Sequence, residues 1–136
     1  MSGFPAEHCR VLASASQGDA AFVVLDTGPA EYRYLYAGTV RRAPDGWVDG
    51  TSSNGPSAGW TLTDWEQDLG VAYLYDEAPA GADRVRATLG PDVRETAVTE
   101  GIYLVTWWGI PNRDRRTPAT VAYHIAGDWV PAESLR

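Results

Sequence analysis

The sequence has no lysine, one cysteine, two histidines and no long apolar run. Each shortage excludes something. Cys9 is alone, so no intramolecular disulfide can form and stability must come from packing. His8 sits directly before it, but neighbours in a strand point to opposite faces, so the two do not read as a catalytic pair. With only His8 and His124, and no CxxC or HExxH spacing, no metal set is visible and no cofactor is expected. No apolar stretch nears the roughly 20 residues of a spanning helix. The N-terminus lacks the basic-then-apolar order of a signal peptide. The chain therefore reads as cytoplasmic as encoded, or as extracytoplasmic if it is an excised domain. All eleven basic residues are arginines, against eighteen acidic ones, for a net charge of −7. Phosphate binding needs clustered cations, so this balance argues against nucleic acid and favours basic or neutral partners.

What remains is a β pattern. The 136 residues fit one domain, 1–136, with 1–8 as a disordered or loosely attached arm. Short apolar runs recur about every 8–12 residues between turn signals. The run 9–16 alternates, with Val11, Ala13 and Ala15 on one face. Run 20–25 is built on Phe22, Val23 and Val24. Tyr32, Tyr34 and Tyr36 share a face of a strand that 38–40 extends. Trp47 and Val48 form a short strand, and 49–59 reads as a long loop holding Asn54-Gly55-Pro56. Residues 63–69 suit one helical turn with Thr63 or Asp64 as cap; the rival is a strand holding Trp60 and Leu62. Strand 70–75 follows. Then 84–89 puts Val85, Ala87 and Leu89 inward and Arg84, Arg86 and Thr88 outward. Strands 93–98 and 102–108 return in turn, so the three form an antiparallel meander, and 102–108, the most apolar, is expected to be a central strand. Strand 120–125 and a turn at Gly127-Asp128 close the pattern, with Trp129 and Val130 pairing back. Eight or nine short strands and at most one helical turn predict an all-β, antiparallel two-sheet β-sandwich, Ig-like or related.

The stretch Pro79-Ala80-Gly81-Ala82-Asp83-Arg84-Val85-Arg86-Ala87-Thr88-Leu89 continues through the Glu100-Gly101-Ile102-Tyr103 turn to Trp107-Trp108-Gly109. It resembles a recurring piece of small all-β domains from high-GC Gram-positive bacteria. Arginine-only basic usage with abundant Ala, Gly and Pro also reads as high-GC coding. In that group the piece often follows a membrane helix and lies outside the cell, and most members have no assigned function. The resemblance carries over no catalytic residue.

Tryptophan is in surplus: Trp47, Trp60, Trp65, Trp107, Trp108 and Trp129. Trp47, Trp107 and Trp129 are expected to fill the space between sheets. Trp107 and Trp108 are adjacent in a strand, so one must face away from the other. Trp60, Trp65 and Trp108 are the candidate binding residues, because Trp60 and Trp65 lie in or beside the loop region. Other groups are weaker. Asp64, Glu66 and Asp68 beside Trp65, and Asp76 with Glu77, could be an acid/base pair, but acidic residues also cap turns. Asp-rich loops could hold calcium, but EF-hand spacing is absent. Arg113, Arg115 and Arg116 read as a solvated loop rather than an anion site. His124 reads as an ordinary strand histidine, and no G-x-S-x-G is present.

No catalytic residue is assigned. The leading expectation is a non-enzymatic binding module for a protein or a cell-envelope component. The alternatives are a carbohydrate-binding module using exposed tryptophans, and a hydrolase using the carboxylates near Trp65. A homo-oligomer, with strand edges covered by a second copy, is a further expectation.

Overall fold

The computed structural model describes residues 10–26, 35–44, 46–53 and 57–135. Among these every extended element is a β-strand, and the only helical pieces are two 3-10 turns, Asn112–Asp114 and Ala132–Leu135. All strand pairs are antiparallel. The chain forms two compact units, Met1–Pro56 and Ser57–Arg136.

The first unit is one sheet of β1 (Arg10–Gln17), β2 (Ala20–Asp26), β3 (Leu35–Ala43) and β4 (Gly46–Ser53), in the order β1-β2-β3-β4. Each strand pairs with its chain neighbour. β2 is buried from Ala21 to Leu25, as its unbroken apolar run requires. Ala21 and Val40 pair directly and form a small apolar cluster with Val23. Val11 does not share an inward face with Ala13 and Ala15: it is exposed, while Leu12 is buried. The cause is a bulge between Val11 and Ala13, which re-phases the strand. The expected 49–59 loop is also corrected, since 49–53 belong to β4 and 58–59 to the next strand. Its polar and glycine-rich residues are held by backbone pairing to β3. Cys9, His8, the arm 1–8, Tyr32 and Tyr34, and the Trp47 side chain lie outside what is described.

The second unit has two sheets. One is β5 (Ala58–Asp64), β6 (Leu69–Glu77) and β9 (Ile102–Pro111), with β6 in the middle. The other runs β11 (Asp128–Pro131), β10 (Ala119–Ile125), β7 (Ala82–Leu89), β8 (Asp92–Ala97). The two pack through one apolar cluster. Ala72 and Leu74 come from β6, and Tyr103, Val105 and Trp107 from β9. Val85, Ala87, Leu89 and Tyr123 come from the opposite sheet. This is an antiparallel two-sheet sandwich. The Tyr103 and Tyr123 rings meet edge to face, and their hydroxyls share a hydrogen bond of 3.2 Å. Burial, then that bond, pushes the Tyr103 hydroxyl far above the usual phenol range.

Two expectations about this unit are corrected. β9 is an edge strand rather than a central one, and 84–108 is not a three-strand meander. β7 and β8 do form a hairpin, and Thr99 and Ile102 close the next turn. The chain then crosses to β6. β8 is exposed at nearly every position. Its polar side chains offer β9 nothing to bury against, whereas β6 does. The helical turn at 63–69 is the second correction. Asp64 does cap, its Oδ1 accepting from the amides of Glu66 and Gln67 at 3.0 Å each. Yet residues 65–68 form a hairpin turn, closed by Asp68 at φ +59°, before Leu69 pairs back with Asp64.

Candidate functional site

The pairing of β5 with β6 sets the first tryptophan. Trp60 stands opposite Ala72, which stands opposite Trp107, so the three share the interior face. The Trp60 indole lies across Gly70, where any Cβ would collide with it. Its Nε1 then donates to the Ile110 carbonyl at 3.0 Å. Half-buried, Trp60 ties β5 to β9 across β6, with the Arg115 guanidinium 5.9 Å from its ring.

Trp65 lies in the turn that follows and is 73% exposed. The turn around it is fixed at both ends. Asp64 holds the start, and Asp68 accepts from Asn112 at the end, backbone to backbone at 3.0 Å and side chain to side chain at 3.3 Å. That contact joins the 65–68 turn to the loop after β9, where Arg113, Arg115 and Arg116 are exposed. One end of the second unit thus presents an open indole, three guanidiniums and a set of carboxylates on tied loops.

Trp108 is elsewhere. Trp107 is 1% exposed and faces inward, so Trp108 faces out, as adjacency requires. Its Nε1 donates to Thr106 Oγ1 at 3.1 Å, beside a register shift that includes Gly109. None of Trp60, Trp65 and Trp108 belongs to the fully buried core. Among the described residues no ring pair joins any two of them. The carboxylates have local work: Asp64 and Asp68 hold the turn, and Asp76 accepts from the Glu77 amide at 2.8 Å.

Trp129 is not in the core. It pairs with His124 in the β10–β11 hairpin and lies on the outer face of the sheet, while Tyr123 points inward. The turn between them is Ala126-Gly127, with φ of +52° and +86°. Positive φ at both central residues is the type I′ condition that glycine serves. Around Trp129 runs a network that sequence reasoning missed. The Arg86 guanidinium sits 3.9 Å from its ring centre, and the His124 ring is 5.1 Å away. Glu95 holds Arg86 at 3.3 Å and Arg84 at 3.6 Å. Asp83 meets His124 Nδ1 at 2.6 Å. A bulge between His124 and Ile125 is what turns Asp83 onto this face. The outward alternation of Arg84 and Arg86 and the hairpin pairing of Trp129 were readable signals; the bulge was not.

The His124 hydrogen bond comes first among the causes that hold the Asp83 carboxyl below its ordinary 3.8. A depressed carboxyl stabilises the fold above its unfolded pKa, and that contribution is lost as pH falls through the folded value. Asp83→Asn is therefore expected to lower the urea midpoint above about pH 4, with the gap closing in stronger acid. Urea melts of both proteins from acid to neutral pH check this. A gap that stays constant into strong acid would show that Asp83 is not stabilised in its ionised form.

Compared with protein-family models, curated proteins and solved structures, the chain matches none.

Proposed function

We propose that the chain is a non-enzymatic binding module that docks a protein partner at the end of the second unit where the 65–68 turn meets the 112–116 loop. The observation that carries this is Trp65, 73% exposed on a turn fixed by Asp64 and by the Asp68–Asn112 contact. A fixed turn has little ordering cost left when a partner closes over the indole. Tryptophan and arginine are the side chains that most often dominate protein interfaces, and both stand here on the same tied loops. The net charge of −7 keeps long-range steering toward basic or neutral partners. No helix among the described residues is long and apolar enough to cross a membrane.

Trp65→Ala is expected to weaken binding to a captured partner by roughly 30-fold, the scale of a hot-spot side chain worth about 2 kcal/mol. Partner recovered by crosslinking and then titrated against both proteins gives the answer. Equal affinities would remove this reading. The same open ring also supports a second reading, stacking on a sugar. Titration of tryptophan fluorescence with oligosaccharides, repeated on Trp65→Ala, separates the two.

A further inference from the structure

The outer edge of β9 is built to attract another strand. The Tyr75 amide donates to the Ser57 carbonyl at 2.8 Å, on the β5 side of β6. Peptide groups alternate sides along an antiparallel strand, so Leu74 and its partner Val105 bond each other across β6 and β9. Leu104 and Thr106 therefore aim their N–H and C=O groups away from β6. No strand among the described residues pairs on that side. The first seven residues of β9 read Ile102-Tyr103-Leu104-Val105-Thr106-Trp107-Trp108, without charge, proline or glycine, before Gly109 and Pro111 near its end. Such a segment on a free edge is the composition that pairs with copies of itself.

A side chain from β8 stands in the way. Arg94 pairs with the inward-facing Ala87, so it rises on the interior side of β8. It reaches across to the other sheet, where its Nη1 donates to the Thr106 carbonyl at 2.9 Å, with the guanidinium 6.0 Å from the Trp107 ring centre. Salt-bridge partners hold Arg84 and Arg86 to Glu95 on the opposite face, whereas Arg94 is committed to the edge.

We propose that Arg94 is an edge guard, which keeps β9 from pairing with the β9 strand of a second copy of this chain. The occupant it excludes follows from the strand. Antiparallel β9–β9 pairing centred on Val105 is two-fold symmetric, matches Leu104 of one copy to Thr106 of the other, and continues the apolar row of Tyr103, Val105 and Trp107. An added strand would have to displace the guanidinium from the Thr106 carbonyl. It would also bring two Arg94 side chains together at the new seam. Inward-pointing charge on an edge is a known means of blocking such pairing.

The test is sedimentation of the full chain over a wide concentration range. Arg94→Ala is expected to raise the self-association constant by about tenfold or more over the unsubstituted chain. Adding Thr106→Pro, which deletes the edge N–H, should return it to the starting value. No rise in Arg94→Ala, or a rise that survives Thr106→Pro, overturns the proposal. If the double variant does not fold, amide exchange in Arg94→Ala decides. Protection of Leu104 and Thr106 that grows with concentration supports the guard; protection that does not grow overturns it.

Discussion

Gly70→Ala is expected to unfold the second unit, or to leave it destabilised at the upper end of the about 1–3 kcal/mol that overpacking costs. A Cβ at Gly70 would drive into the Thr61 carbonyl oxygen and into the six-membered ring of Trp60. The carbonyl is backbone in the neighbouring strand and cannot swing aside without breaking the β5–β6 ladder. Adding Trp60→Ala would clear the indole but not the carbonyl, so the double variant is not expected to recover. Gly59→Ala is the comparator. Its Cβ would meet the Tyr73 hydroxyl at 3.1 Å, the movable end of a side chain, so the loss should be smaller. Urea unfolding, read at constant slope, ranks the variants. Gly70→Ala within experimental error of the parent would refute the close crossing of Trp60 over β6.

Trp107→Ala should cost about 3–5 kcal/mol, the range for truncating a large aromatic in a core. The ring is 1% exposed and meets residues from both sheets. Trp107→Phe is the more telling change. The Trp107 Nε1–H is buried and has no acceptor among the described residues. Replacing it by phenyl removes volume but no hydrogen bond, so the loss should stay under about 2 kcal/mol. Denaturant midpoints of both variants settle the matter. A phenylalanine variant as unstable as the alanine variant would mean that the indole N–H is bonded after all.

How much of this was legible depended on whether a feature was local. Val85, Ala87 and Leu89 are inward and buried because simple alternation holds along residues 84–89 of β7, and alternation needs no knowledge of neighbours. The opposed faces of Trp107 and Trp108 were readable for the same reason. Bulges broke the rule. Leu12 took the inward place from Val11, and Asp83 turned toward His124, because each sits beside an extra residue that only a partner strand reveals. Trp129 was misplaced by its size. Large aromatics favour cores, yet strand pairing put this one on the His124 face, where Arg86 covers it. In the same way β9 read as central from its apolarity, although its place was decided by what β6 and β8 offer it. Of the candidate site, Trp65 was readable as a tryptophan in or beside a loop region, with Thr63 or Asp64 as the cap. The Asp68–Asn112 contact, spanning distant parts of the chain, was not.

The crossing of β9 also sets an order of events during folding. The first unit pairs only strands adjacent in the chain, so each ladder closes a short loop. In the second unit Tyr75 must find Leu104 across about thirty residues, and contacts of that range are slow to form. Until they form, the uncharged β9 segment stays in solvent with both of its edges open. The time to aggregation of a nascent chain should then be governed by how fast β6 captures β9, a rate that depends on the connection between them and hardly at all on the stability reached afterwards.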